Sequence, residues 1–413
     1  MRVQRNRILA LFLVVSSLGL SVAQAADWPA VPIFAGPDDQ ENPDIDGTVV
    51  VWQEWVSELG DYDIFVADIN DLGVPLVTVI GDANDQTHPA VYGRRVVWQD
   101  LVPWEGAADW DIRMADVRDF EAPIGYIVSD IPLNDEERPA IHGNVVVWQD
   151  TNGEDYNIFG ADITDPCYPV EFAVAAFEFD QMNPSIYRNT VVWEDNLFGD
   201  WDLLAADIWL RDRPTEFPVA LLESDQRGGV VSGDFVVWED NFFGDWDIYA
   251  GRIFDGNDVR ESPITMDEGE QRHPDIDGHL VVWQDNRHGD WDIYGYNLVT
   301  DRMFRITDDP GDQVHPAISG HTVVWQDNRD GPWNVYATVL AGPVVTDCTG
   351  SPAGDINGDC RTDFADLAVM ASSWLADQTD APRIPVRSAG VGPRRGKGSG
   401  RSVTSLRGRR VVR

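Results

Sequence analysis

The stretch His279–Leu298, HLVVWQDNRHGDWDIYGYNL, decides the fold, because the chain writes close copies of it along most of its length. The tryptophan ending each copy of VVW marks the unit: Trp52, Trp98, Trp148, Trp193, Trp238, Trp283 and Trp325, at steps of 46, 50, 45, 45, 45 and 42 residues. Ahead of each stands a short segment such as NPDIDG, HPAVYG or HPDIDG. Behind each comes a polar loop, then a second aromatic and an apolar run, from YDIFVADI to WNVYATVL. Self-similarity at this period signals a solenoid, a propeller or an array.

One unit reads as four strands. Pro274–Asp277 is a short first strand, Gly278 turns the chain, and Leu280–Gln284 is a second strand. Its apolar residues are consecutive, which predicts burial on both faces. Asp285–Asp290 is a hairpin loop of residues that tolerate tight turns. Trp291–Asn297 and Met303–Thr307 complete the set. Four strands in about 45 residues make a β-propeller blade. The Val, Ile, Trp and Tyr content of the runs argues against a helical solenoid. The last unit leaves the pattern after its third strand, Trp333–Leu340, so Val31–Phe34 is expected to supply the missing fourth strand and remove an exposed edge. The predicted class is all-β: a seven-bladed β-propeller over residues 26–343, closed by an N-terminal strand, with a small C-terminal calcium loop–helix module.

The segment HPDIDGHLVVWQDNRHGDWDIYGYNL resembles the repeat of TolB-type β-propellers, over about residues 31–340. The resemblance implies the fold and leaves the function open. It is nearer to secreted, cell-surface members of that group than to periplasmic TolB, since the VVW tryptophan is unusual there and no separate N-terminal α/β domain is legible.

The flanks differ in composition. Residues 1–25, MRVQRNRILALFLVVSSLGLSVAQA, read as a secretory signal peptide, with Arg2, Arg5 and Arg7, an apolar run from Ile8 to Val15 and the small-residue site Ala23-Gln24-Ala25. The apolar run falls short of the roughly 20 residues a membrane span needs, and no later segment qualifies. A secreted protein is expected, extracellular, at the cell surface or periplasmic, with no transmembrane segment. The 413 residues carry a formal charge of −41. Setting aside the three arginines of the leader and the ten bases of residues 382–413 leaves 17 bases against 71 acids, a net of −54. Such a body repels nucleic acid and anionic membranes and suits a protein that collects divalent cations. Residues 381–413, rich in Arg, Gly and Ser, are expected to be a disordered basic tail, lying across the acidic body or on an anionic polymer. Of three cysteines, Cys348 and Cys360 are close enough in sequence to pair, and Cys167 is left over. The preferred reading of Cys167 is a buried free thiol rather than an intermolecular bridge.

Residues 344–380 form the C-terminal module. With Asp355 as position one, side-chain oxygens fall at positions 1, 3, 5, 9 and 12: Asp355, Asn357, Asp359, Asp363 and Asp366, with the Arg361 carbonyl at 7. That is the oxygen pattern of an EF-hand calcium loop, so Ca2+ is the expected cofactor. Phe364–Leu375 then reads as a helix, with Phe364, Leu367, Met370, Ala371 and Trp374 on one face. Asp at position 12 followed by FADLAVMASSWL resembles half of a type I dockerin. The resemblance implies calcium-dependent folding and docking onto a cohesin partner on a scaffold. Two features depart from that family: one loop stands where two are usual, and Cys360 stands at position 6 in place of Gly.

Catalysis should break the repeat, because one substrate sits at one place. Asp285, Asp290 and Asp292 recur as Asp240, Asp245 and Asp247 and as Asp195, Asp200 and Asp202, so they are read as hairpin braces, with weak calcium binding the alternative. His88, His273 and His315 share one repeat position, filled elsewhere by Asn42, Arg138, Asn183 and Gly229. Clustered imidazoles could hold a transition metal, as some propeller lyases acting on pectin fragments do; a turn residue hydrogen-bonded to backbone explains the same pattern. Trp201, Trp246, Trp291 and Trp333 are read as inter-blade packing, with sugar stacking the alternative. No catalytic residue is assigned. The preferred function is a binding or scaffold protein in extracellular polysaccharide breakdown, taking protein or glycan at the propeller face. The rival is a polysaccharide lyase or glycoside hydrolase in the channel.

Overall fold

The computed structural model describes residues 28–341 except 71, 105–106, 152 and 255–257. The leader, the calcium module with Asp355, Asn357, Asp359, Arg361, Asp363 and Asp366, the pair Cys348 and Cys360, and the basic tail lie outside these residues. The described residues form seven four-stranded antiparallel sheets and no helix. The innermost strands of blades 1 to 7 are Gln40–Asp46, Gln86–Tyr92, Asp135–His142, Gln181–Tyr187, Gln226–Ser232, Gln271–Asp277 and Gln313–Ser319. Six blades are built from consecutive strands.

The seventh blade takes its outer strand from the other end of the chain. Val31–Phe34 pairs antiparallel with Asn334–Val339, with Val31 opposite Ala337, Pro32 opposite Tyr336 and Phe34 opposite Val335. Nearby, the Trp28 indole donates to the Ala341 carbonyl at 3.1 Å, and the Thr338 hydroxyl donates to the Pro29 carbonyl at 3.1 Å. The seven VVW tryptophans are at most 3 % exposed. Each belongs to a cluster spanning a seam: Trp52 packs with Ala317, Val324 and Val335 of blade 7, and Trp325 with Leu280, Val282 and Ile293 of blade 6. Seven seams thus stack seven apolar layers in a ring.

Two further rings are polar. Every innermost strand carries a bulge two or three residues after its first position, for example between Arg272 and Asp275. Six of the seven bulges contain Pro, which has no ladder donor to lose there. The residue before it takes a left-handed φ of 50–59°, at Asn42, His88, Arg138, Asn183, Gly228, His273 and His315. Its freed N–H donates, at 2.6–3.0 Å, to the Gln or Glu after VVW in the preceding blade: Gln326, Gln53, Gln99, Gln149, Glu194, Glu239 and Gln284 in turn. The second ring joins Asp39, Asp85, Asp135, Asp180, Asp225, Glu270 and Asp312 to the N–H of the aromatic that opens the third strand of the preceding blade, at 2.9–3.4 Å. Both rings cross the seam between blades 7 and 1 unbroken.

Two expectations change. The shared position in blade 5 belongs to Gly228, not Gly229: the blade lacks the marker Pro, and the N–H to Glu194 comes from Gly228 at 2.8 Å. Cys167 is exposed rather than buried, because it sits in the turn after Asn157–Asp162, its N–H donating to Asp165 at 3.2 Å. The first strand of the repeat also starts earlier than Pro274, at Gln271, since the bulge lets the chain pair on both sides of the proline.

Candidate functional site at the channel mouth

One end of the channel collects the chemistry. The loops entering the innermost strands meet the hairpin loops between second and third strands there. The N–H groups of Asp180, Asp225, Glu270 and Asp312 donate to the amide oxygens of Asn196, Asn241, Asn286 and Asn328 at 2.7–3.0 Å. Of the repeated aspartates, those at the first position of the hairpin brace it as expected. Asp195, Asp240, Asp285 and Asp327 each accept the N–H two residues on, at 2.8–3.0 Å. Asp292 accepts from Arg305 at 2.6 Å.

Along each innermost strand the pattern of burial alternates after the bulge, so that Pro and Ile point into the seams and the positions of His273, Asp275 and Asp277 face the channel. The bulge therefore sets six side chains around the mouth, with Gly228 at the seventh position. The His273 and His315 rings lie 4.2 Å apart between centroids, tilted by 36°. His88 lies two blades beyond His315, its Nδ1 3.3 Å from the Thr87 hydroxyl. The ring faces are spent on each other, and among the described residues no three His, Cys, Asp or Glu side chains come together to hold a metal. The donors present therefore do not fit a three-ligand transition-metal centre.

Protein surrounds these imidazoles although channel water reaches them. That desolvation, the main cause, pulls His88 and His273 down to about 4 and His315 to about 3. The Arg138 guanidinium adds to the shift at His88, and at His273 Arg272 adds more than Arg138 does, so cations lie near both imidazoles. Among the described residues no carboxylate pairs with Arg138. At neutral pH the mouth thus presents one free cation and three neutral imidazoles, each able to donate one hydrogen bond and accept another.

A second group stands beside it. Arg227 of blade 5 lies 4.2 Å over the Trp201 ring of blade 4, and Arg272 of blade 6 lies 4.5 Å over Trp246 of blade 5. Glu194 and Glu239 hold these arginines, at 3.0 and 2.6 Å. Trp201 and Trp246 are thus half-buried inter-blade contacts, as their repeat position predicts. The signal for these pairs was in the sequence: only where Glu replaces Gln after VVW does Arg follow Gln in the next unit. The significance of Arg138 was missed, because it was read as a filler of a histidine position.

At the far end of the channel Tyr92, His142 and Tyr187 of successive blades lie side by side, with centroids 4.4 and 4.6 Å apart and rings tilted by 42° and 57°. Deeper in, Asp44 and Asp275 accept the Val91 and Ile318 N–H groups of the next blade at 2.8 and 2.7 Å. Burial raises them to about 6 and about 7.

No protein-family model matches the chain, and no curated protein matches it. Solved structures do. A puromycin-hydrolyzing peptidase of Mycobacterium tuberculosis aligns at TM-score 0.56 and 15 % identity over 79 % of this chain; the chain spans only 57 % of that peptidase. An oligogalacturonate lyase of Vibrio parahaemolyticus aligns at TM-score 0.56 and 11 % identity, over 78 % of this chain and 96 % of that one. An oligogalacturonate lyase in complex with manganese aligns at TM-score 0.54 and 12 % identity, over 78 % and 100 %. At these identities the likeness is one of fold, and it agrees with the sheets described above: over its described residues the chain is an all-β, seven-bladed β-propeller.

Proposed function

We propose that the protein is an exported propeller that binds acidic glycans at the channel mouth, in extracellular polysaccharide breakdown. In this reading residues 355–366 hold Ca2+ and the surrounding dockerin-like module attaches the chain to a cohesin-like scaffold. The observation that carries the glycan reading is the free Arg138 guanidinium among three neutral imidazoles, in a body whose net charge is otherwise strongly negative. A uronate carboxylate would pair with Arg138, and sugar hydroxyls would exchange hydrogen bonds with imidazoles that remain neutral. Two of the fold relatives are named as lyases of oligogalacturonate, an acidic glycan. The test is calorimetric titration with oligogalacturonate and with its methyl-esterified, neutral counterpart. The acidic ligand should bind, and Arg138→Ala should weaken it about tenfold, the loss of roughly one charge-assisted hydrogen bond. Equal affinity for both ligands sinks the reading.

A lyase is the second reading. It is favoured by the depressed imidazoles, which are free at neutral pH to take a proton beside a cation. Formation of an unsaturated product from oligogalacturonate, lost in His273→Ala, would support it. Binding without product would leave the first reading alone.

A further inference from the structure

One arc of the same face is unlike the rest. The loops of blades 3 to 6 read DIPLNDE (130–136), AFEFDQ (176–181), NLFGDW (196–201), LLESDQ (221–226), NFFGDW (241–246) and MDEGEQ (266–271). Together they hold twelve acids and no Lys, Arg or His. They also expose large apolar side chains: Leu133 is 67 % exposed, Phe177 51 %, Phe179 48 %, Phe243 56 % and Met266 65 %. The equivalent hairpins of blades 6 and 7 carry Arg287-His288 and Arg329-Asp330 where blades 4 and 5 carry Leu197-Phe198 and Phe242-Phe243. Those arginines are paired with Asp285 and Asp267, and with Asp327 and Asp309. Large apolar side chains are thus crowded into this arc, although Trp55 and Leu59 of the blade 1 hairpin are also exposed, at 38 % and 49 %.

The backbone holds these side chains outward at a cost. Phe179 has φ 76° and Leu133 φ 71°, in the left-handed region where blades 6 and 7 place Gly269 and Gly311. Their N–H groups are fixed by Asp155 at 3.1 Å and Asp109 at 2.6 Å. Strain of this kind is retained where the neighbouring structure over-determines it, and it clusters at sites of use. An exposed apolar surface rimmed by polar residues marks an interaction site.

Its best-matched occupant is apolar and basic, since the twelve acids of these loops outnumber the cations at their inner rim, Arg138, Arg227 and Arg272, of which the last two are already held by Glu194 and Glu239. We propose that this arc docks the chain's own C-terminal segment, residues 382–413, in cis. That segment holds ten Lys or Arg and no acid, interleaved with Ile384, Val386, Val403, Leu406 and Val411. Reach is not limiting. The described residues end at Ala341, and even with the calcium module folded the remaining linkers can extend roughly 60 Å, against a radius of gyration of about 20 Å for a domain of this size. Covalent attachment raises the local concentration of the segment to about the millimolar range. The docked segment would cover the face beside the mouth and leave it as salt rises. This inference uses neither Arg138 nor the histidines, so it stands or falls apart from the glycan reading.

The test places a photoreactive benzoylphenylalanine at Phe243 in the full chain, and at Asp330 as a control. Cross-linked peptides should map to residues 382–413 within a species of monomer mass. They should vanish when Arg394, Arg395, Arg407, Arg409 and Arg410 are changed to Gln, and at about 0.5 M salt, where screening is short-ranged. Cross-links to a second chain, cross-links unaffected by the Gln changes, or equal labelling at Asp330 overturn the proposal. Hydrogen exchange needs no photoreactive residue. The amides of 176–181 and 241–246 should exchange severalfold more slowly with the native segment than with the Gln-substituted one, and equal rates overturn it.

Discussion

Ring closure rests on a strand of four residues, Val31–Phe34, so its energetic weight can be tested with one side chain. Ile33 is 4 % exposed and packs in the cluster formed by Trp52, Ala317, Val324, Val335 and Ala337. Ile33→Ala removes three carbons from a site walled by the sheets of blades 7 and 1, whose rigid packing cannot collapse onto the gap. Large-to-small changes of this type cost about 2–5 kcal/mol, transfer and cavity together. Ile306→Ala is the internal standard: Ile306 is 6 % exposed, in the cluster with Ile293 and Phe304, and its blade is built from consecutive strands. Urea unfolding followed by both far-ultraviolet dichroism and tryptophan fluorescence reads the two variants. If the ring is closed, both lower the midpoint by similar amounts, in one transition and with the slope unchanged. If the N-terminal segment were unpaired, Ile33 would behave as a surface residue, within about 0.5 kcal/mol of wild type. A small loss at Ile33 beside a full loss at Ile306 would refute the closure.

Three other expectations follow from the same seams. Gln326→Leu strips the acceptor from the Asn42 N–H at the 7/1 seam and Gln284→Leu strips it from the His315 N–H inside the chain; each should destabilise by about 1–3 kcal/mol, the cost of an unpaired buried donor, and unequal losses in denaturant unfolding would show that the seams are not equivalent. Stability should fall as pH rises from about 4 to 7, because the raised carboxyls outnumber the depressed imidazoles that act in the opposite sense. Burial raises Asp44 and Asp100 to about 6 and Asp111, Asp247 and Asp275 to about 7, so the folded state binds more protons than the unfolded one and stability is lost as pH rises through these values. His88, His142 and His273 lie at about 4, so at these sites the folded state binds fewer protons than the unfolded one and their contribution is lost as pH falls from their ordinary range through that value; a melting temperature that rises steadily from about pH 4 to 7 would contradict the assignment. Chelator should expose residues 354–375 to protease while the propeller's β signal persists, and an unchanged cleavage pattern with and without calcium would remove the loop at Asp355–Asp366 from the list of metal sites.

What was legible in the sequence was whatever the repeat states seven times. The VVW tryptophans, the blade count and the closing strand follow from periodicity, because a side chain that fills a seam must recur at every seam. The failures fall where the repeat is imperfect. Blade 5 lacks the marker proline, so the bulge residue was placed one position late, at Gly229 in place of Gly228. Strand starts were late because a proline ordinarily ends a ladder; here the bulge lets Gln271–Arg272 pair ahead of it. Cys167 was assigned to the interior from residue type alone, against a flanking TDPCYP that reads as a turn. Distances between imidazoles were beyond the sequence, since they depend on how steeply successive innermost strands rotate about the axis.

The same comparison among copies separates scaffold from chemistry. Asp39 and its six counterparts recur because each seam needs an acceptor for the aromatic N–H. The left-handed bulge recurs in backbone conformation but not in side chain: Asn, His, Arg, Asn, Gly, His and His share one φ. Seam geometry fixes the N–H there and leaves the side chain free, so chemistry can vary at that position without disturbing the ring. The co-occurrence of Glu194 with Arg227 and of Glu239 with Arg272 shows the limit of that freedom: where Glu, not Gln, accepts the bulge N–H, a cation from the next blade balances it. Gln53, Gln99 and Gln149, neutral, require no such partner, and the units that follow them carry Thr87, Glu137 and Met182 instead. Arg138 follows Gln99, is not needed to balance it, and is exposed, near enough to His88 and His273 to depress both. A cation that no seam requires, at a position where the backbone demands nothing of the side chain, is the one feature of the mouth that ring stability does not explain.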